Sequence, residues 1–128
     1  MRFLEPLRDQ LLSVLRIMSA LLILQHGTTK ILKFPASQMS NAPLTSPGGI
    51  AGVFELIGGM LLLVGLFTRP VAFILSGLTA VAYFYAHAPR GFYPLLNGGE
   101  LAALYCFVFL YLAAAGGGAW SLDRSRGA

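Results

Sequence analysis

The chain has 128 residues, of which 56% are hydrophobic and 11% are charged, with a formal net charge of +4. The length suits a single domain over residues 1–128, but ordinary soluble domains carry roughly one quarter charged residues, so this composition excludes a typical water-soluble protein. The arginines lie singly or in twos beside apolar runs, which argues against nucleic-acid binding and fits the flanks of membrane spans.

The first predicted span covers residues 11–33. Its apolar start could be mistaken for a signal peptide, but Glu5 and Asp9 dilute the positive leader and Arg16 interrupts the apolar run. We therefore expect this segment to be retained.

Three further apolar runs follow, separated by loops rich in proline and glycine. Residues 34–47 contain three prolines and form a loop, whereas residues 48–68 and 70–88 are joined so closely that they predict a helical hairpin. The fourth run, residues 99–115, ends at three consecutive glycines. Each run of about 17 to 23 residues reaches about 25 to 35 Å as a helix, enough for a hydrocarbon core of about 30 Å. The sequence predicts an all-α bundle of four transmembrane helices.

The orientation of the bundle follows from the lysines and arginines beside the span ends. One side carries five of them and the other three, so both chain termini are predicted to be cytoplasmic in a multi-pass protein. The two sets are Arg2, Arg8, Arg69, Arg124 and Arg126 against Lys30, Lys33 and Arg90.

Ionisable residues inside the first two spans are predicted to face other helices, because each costs about 2.5 to 3.5 kcal/mol in hydrocarbon. Arg16, His26 and Lys30 share one face of the first span. Glu55 lies in the second span on a stripe with Gly48, Gly52 and Gly59, which would let another helix approach closely. We expect Arg16 to have a structural role, either reaching the inner surface or pairing with Asp123.

The last two spans show similar spacings: Ser76, Ala80, Tyr83 and His87 in the third, and Glu100, Leu104, Phe107 and Tyr111 in the fourth. The depths of five ionisable side chains place them in the outer half of the bundle: His26, Lys30, Glu55, His87 and Glu100. The predicted ligand-binding or polar cluster is His26, Lys30, Glu55, Tyr83, His87 and Glu100, with Phe107 and Tyr111 beside Tyr83 as apolar walls. An alternative is that Glu55 pairs with Lys30 or His26 only to fix helix register.

Catalytic motifs are missing from the sequence, and no catalytic residue can be named. Cys106 is the single cysteine, so an intramolecular disulfide is impossible. The histidine and glutamate spacings match no known metal-ligand pattern, and we expect no metal.

Several short motifs, in this order, resemble the DoxX family of small bacterial membrane proteins. They are Arg16 with Gly27 and Lys30, residues 54–59 (FELIGG), residues 65–69 (GLFTR), residues 97–100 (NGGE) and residues 121–123 (SLD). The resemblance implies a four-helix bundle in the bacterial inner membrane and an association with redox processes, including small subunits of thiosulfate:quinone oxidoreductases and partners of oxidative-stress enzymes. Lys30, Glu55 and Glu100 match polar positions of the family pattern. Thiol-redox members would need paired cysteines, which this chain lacks.

Three functions remain open from the sequence. The first is a subunit or anchor of a partner oxidoreductase, not an enzyme in isolation, with a quinone as the candidate ligand. The second is a proton- or solute-coupled transporter or channel subunit, which would need homo-oligomers because four short helices are few for a pathway. The third is a structural assembly subunit. The lipid bilayer is the expected environment in all three.

Overall fold

Residues 1–127 are described by a computed structural model, and they are predominantly helical. The four long helices are α1 (Arg8–Ile31), α2 (Pro47–Val64), α3 (Thr68–Ala82) and α5 (Glu100–Ala115). Two short helices, α4 (Pro94–Asn97) and α6 (Leu122–Ser125), lie on either side of α5 in the chain. The long helices agree with the four predicted apolar runs to within three residues, except at the ends of the second and third runs.

The turn between α2 and α3 begins earlier than predicted. Gly65 ends α2 in the left-handed conformation with φ of 73°, and the Leu66 N–H donates to the Leu61 carbonyl at 2.9 Å. This is the usual hydrogen-bond pattern of a glycine-terminated helix. Helix α2 therefore ends four residues before the predicted end of the second apolar run, at about residue 68.

At its far end α3 continues through a π-helical segment, Tyr83–His87, and a 3₁₀ turn, Ala88–Arg90. The start of α2 has a clear local cause. Ser46 accepts a hydrogen bond from the Gly49 N–H at 3.2 Å and Pro47 occupies the first turn of α2, both typical of helix N-termini.

Packing divides the bundle into two helix pairs, α1 with α2 and α3 with α5, joined where α2 contacts α3. The buried apolar core is Ala20, Ile23, Leu62, Ala72, Leu75, Tyr105, Phe109 and Leu112. Large apolar side chains also cover the outside, among them Ile57, Met60, Phe73 and Phe107. Water would not favour such a surface, whereas lipid would.

Two helical stretches are long and apolar enough to cross a membrane, Pro47–Val64 and Thr68–Arg90, and the apolar helix Glu100–Ala115 is shorter. The start of α1 and the short helix α6 lie at one end of the bundle, because Arg124 forms a salt bridge with Asp9 at 2.8 Å. We call this the terminal end. The opposite end, which carries residues 32–46 and 88–99, is the loop end.

Candidate functional site

The centre of the candidate site is an ion pair between α1 and α2. The Lys30 Nζ lies 2.7 Å from the Glu55 Oε1, and their side chains are only 12% and 8% exposed. Of the six predicted cluster residues, these two are in direct contact. The pair therefore links α1 to α2 near the loop end.

Glycines on both helices permit this contact. A Cβ atom on Gly27 would lie 2.7 Å from the Leu56 Cα, and one on Gly52 would lie 2.8 Å from the Lys30 Cβ. Gly59 is similarly close to the Leu24 Cα, at 3.0 Å. Real carbon atoms do not approach so closely without displacement, so these glycines set the spacing between α1 and α2.

Gly48 differs from the rest of the predicted glycine stripe. A Cβ there would make only an ordinary contact of 3.6 Å with the Ala42 Cβ, in the preceding loop. Gly48 is therefore not one of the residues that bring α1 close to α2.

His26 lies one turn before Lys30 on α1 and faces Tyr105 of α5. Their ring centroids are 6.2 Å apart in an edge-to-face arrangement, and Tyr105 stacks on Phe109 at 5.4 Å. Tyr105 is buried, with 5% of its surface exposed. Within residues 1–127 its hydroxyl has no hydrogen-bond partner. A buried, unpaired hydroxyl is unusual, because buried polar groups are generally hydrogen-bonded.

Tyr105 was missed by sequence reasoning, which assigned the wrong face of α5 to the interior. Phe107 and Tyr111 are exposed and line two separate surface cavities, neither of which includes Tyr83; Glu100, also exposed, lines the same cavity as Phe107. The buried face is Tyr105, Phe109 and Leu112, spaced four and three residues apart. That spacing was the available signal, but the outward face of this helix is equally apolar.

Two other predicted cluster residues, Tyr83 and His87, belong to a separate group around Asn97. The buried Asn97 side chain donates to the Tyr83 hydroxyl at 3.1 Å and to the Gly91 carbonyl at 3.0 Å, and accepts from the Gly99 N–H at 2.8 Å. The His87 Nδ1 lies 3.3 Å from the Asn97 backbone carbonyl oxygen. This group joins the end of α3 to the start of α5. The six predicted residues thus fall into different local environments.

A small cavity opens beside His26. Its volume is about 120 Å³, and its lining consists of Gln25, His26, Thr29, Pro35, Ser37 and Met39. Ligand pockets usually enclose about 300 Å³ or more, so a quinone ring at this position would need side-chain movement. Within residues 1–127 no group of three or more His, Cys, Asp or Glu side chains is placed to hold a metal ion.

Arg16 lies at the terminal end and is completely buried. Its guanidinium donates to the backbone carbonyls of Gly117, of Trp120 at 2.8 Å and of Leu63 at 3.4 Å. Ser13, one turn earlier, also donates to the Gly117 carbonyl, at 3.0 Å. Arg16 thus holds the C-terminal segment, residues 116–126, against the bundle and does not extend to the surface.

Asp123, the other predicted structural residue, caps the start of α3. Its two carboxylate oxygens accept hydrogen bonds from the Phe67 and Thr68 N–H groups, each at 2.8 Å. Burial alone would raise the pKa of Asp123, but these hydrogen bonds and the nearby Arg126 outweigh it and hold the pKa below its ordinary value. The charged form of the Asp123 carboxylate therefore joins the C-terminal segment to the start of α3.

Comparisons with known proteins relate this architecture to a family. The sequence model of the DoxX family matches residues 11–88, which include most of α1, all of α2 and α3, and the Lys30–Glu55 pair. The chain belongs to the DoxX family. An uncharacterized protein of Haemophilus influenzae is 48% identical to this DoxX protein over 129 residues, covering 97% of this chain and 96% of the relative.

A second uncharacterized protein of the same organism is 39% identical over 69 residues, covering 54% of this DoxX protein and 46% of the relative. No solved structure matches the chain significantly. DoxX proteins are membrane proteins, in agreement with the apolar outer surface and the two helical stretches able to span a bilayer.

Proposed function

We propose that all four long helices cross the bacterial inner membrane, with both termini in the cytoplasm. The ionisable residues of α1 are compatible with this arrangement: Arg8 and Asp9 begin the helix, Arg16 is satisfied by backbone carbonyls, and Lys30 is paired. No unpaired charge of α1 therefore has to face hydrocarbon at mid-depth. The excess of arginine at the terminal end supports a cytoplasmic location for that end.

Within this membrane arrangement, the protein acts as the membrane subunit or anchor of a partner oxidoreductase, and the site at its loop end accepts the head group of a quinone. The observation that carries this proposal is the buried Tyr105 hydroxyl, which has no hydrogen-bond partner within residues 1–127. The Tyr105 ring packs edge-to-face against His26, one helical turn before Lys30 of the Lys30–Glu55 pair. A quinone carbonyl is an acceptor that such a hydroxyl could satisfy.

The chemistry of the cluster suits this ligand. Reduction of a quinone to a quinol takes up two electrons and two protons at its carbonyl oxygens. The partner oxidoreductase would supply the electrons. His26, whose ring packs against Tyr105, and the Lys30–Glu55 pair one turn further along α1 are the ionisable groups that would deliver the protons.

The test is quinone binding to the purified protein in mild detergent. We expect quinone to be extracted with the protein, and Tyr105→Phe to weaken binding of an added short-chain quinone about tenfold, since one hydrogen bond is worth about 1 kcal/mol or slightly more. Tyr111→Phe is the matched control, because Tyr111 is exposed and loses the same hydroxyl. Absence of bound quinone, together with equal affinity for both variants, would refute the site.

A structural assembly role is the second candidate, and the direct 2.7 Å contact between Lys30 and Glu55 favours it. In that case the pair fixes the α1–α2 register and takes no part in ligand binding. Glu55→Gln would then reduce the amount of assembled oxidoreductase complex but leave the activity of each remaining complex unchanged. Under the quinone proposal, activity per complex would fall.

A further inference from the structure

The loop between α3 and α5 displays large apolar side chains at the loop end of the bundle. We call residues 91–99 the interfacial loop. Its exposed fractions are 86% at Phe92, 63% at Tyr93, and 77% at both Leu95 and Leu96. Four large apolar side chains within five positions would be costly in water, so this loop requires an apolar partner.

The interfacial loop is held in a defined conformation. Asn97 is buried, and its side chain bonds to the Tyr83 hydroxyl, the Gly91 carbonyl and the Gly99 N–H. These hydrogen bonds fix both ends of the loop while the apolar side chains between them point outward. The exposure of those side chains is therefore a property of the fold and not of a loose segment.

The length of α5 gives the depth of the loop. Its 16 residues extend about 24 Å, about 6 Å less than a hydrocarbon core of about 30 Å. The other end of α5 is level with the start of α3, because Arg69 donates to the Ala114 carbonyl. With the start of α3 at the inner boundary of the hydrocarbon core, the loop that precedes α5 occupies the remaining distance of about 6 Å up to the outer boundary, next to the interface where aromatic side chains are enriched.

We infer that the interfacial loop inserts Phe92, Tyr93, Leu95 and Leu96 into the outer leaflet of the bilayer, at the boundary between acyl chains and head groups. The occupant of this surface is lipid. The inserted side chains complete the crossing that α5 alone is too short to make, and Glu100 and Arg90 on either side reach the head groups. This inference rests on the proposed membrane crossing of the helices.

Single-tryptophan fluorescence in proteoliposomes tests the depth. Trp120 is the one tryptophan of the sequence, and its side chain is exposed, so Trp120→Phe removes all tryptophan fluorescence from the starting protein. Leu95→Trp and Phe92→Trp then report the loop. Phe107→Trp reports the exposed side of α5, and Asn41→Trp reports the polar loop 34–46. Vesicles of phosphatidylethanolamine and phosphatidylglycerol would contain lipids brominated near either the carbonyl or the methyl end of the acyl chain.

We expect both loop tryptophans to be quenched most by bromine near the carbonyl end, and several-fold less by iodide than Asn41→Trp. Phe107→Trp should be quenched most by the deeper bromine. Iodide quenching of the loop tryptophans equal to that of Asn41→Trp would overturn the inference. Shielding of the loop tryptophans from both iodide and bromolipid would also overturn it and would indicate a protein partner. Absence of bromolipid quenching in Phe107→Trp would instead refute the proposed membrane crossing of the helices. Failure of the loop insertion and failure of the membrane crossing are therefore distinguishable.

Discussion

A single methyl group added at Gly27 tests whether the close approach of α1 and α2 positions the candidate site. The new Cβ would lie 2.7 Å from the Leu56 Cα and 2.9 Å from the Glu55 carbonyl carbon. Both are backbone atoms, which cannot rotate away. The Leu56 backbone nitrogen would lie closer still, so restoring ordinary contacts of 3.4 Å requires α1 and α2 to separate by about 1 Å. The Lys30–Glu55 contact would lengthen as a result.

The expected cost of Gly27→Ala combines two effects. Overpacking costs about 1 to 3 kcal/mol, and the higher helix propensity of alanine returns up to about 1 kcal/mol. Gly77→Ala is the matched control, because Gly77 is also in a helix and a Cβ there has nothing within 4 Å. The two variants should therefore differ in free energy of unfolding by about 1 to 3 kcal/mol, measured by denaturant titration in detergent micelles with circular dichroism. Equal stability would refute the packing argument.

Three further changes test the polar interactions. Glu55→Gln should lower the free energy of unfolding by about 3 to 5 kcal/mol by leaving the buried Lys30 ammonium unpaired, and a second change, Lys30→Met, should recover most of it in a double-mutant cycle. Asp123 has a depressed pKa, so its stabilising effect is present above the ordinary pKa of 3.8 and is lost as pH falls through the folded-state pKa. Asp123→Asn should therefore remove this acid-dependent loss of stability, measured as the free energy of unfolding against pH. The substitution should cost about 1 kcal/mol near neutral pH. Asn97→Leu should cost more than about 2 kcal/mol in the same unfolding assay, because it leaves the Tyr83 hydroxyl and the Gly99 N–H without their partner; an unchanged midpoint would contradict this.

The helices were predictable from the sequence because apolar runs and their proline and glycine boundaries are local features. The contact between α1 and α2 was also predictable, since Lys30, Glu55 and the glycines share helical faces. The inward face of α5 was not. Its residues are apolar on all sides, and in a lipid environment the outward face is no more polar than the core. Tyr105 and Tyr111 are therefore equally plausible as buried residues when only their spacing is known.

The role of the C-terminal segment could not be inferred from local patterns either. Residues 116–118 read as a helix stop, yet the Gly117 carbonyl accepts hydrogen bonds from Ser13 and Arg16, more than 100 residues earlier. A backbone carbonyl has no sequence signature as an acceptor. The buried position of Arg16 therefore becomes apparent only when the segment has folded back onto α1.

The C-terminal segment covers the terminal end of the bundle, and this limits which ligands could reach the candidate site from that end. A water-soluble solute crossing the bundle would have to displace the C-terminal segment and break the hydrogen bonds of a fully buried guanidinium, Arg16, each worth about 1.5 to 3 kcal/mol. A ligand that enters from the bilayer or from the loop end meets His26 and the Lys30–Glu55 pair without disturbing that closure. A lipid-soluble molecule with a polar head, such as a quinone, fits this route, which supports the oxidoreductase-subunit proposal over a transport pathway through the single chain.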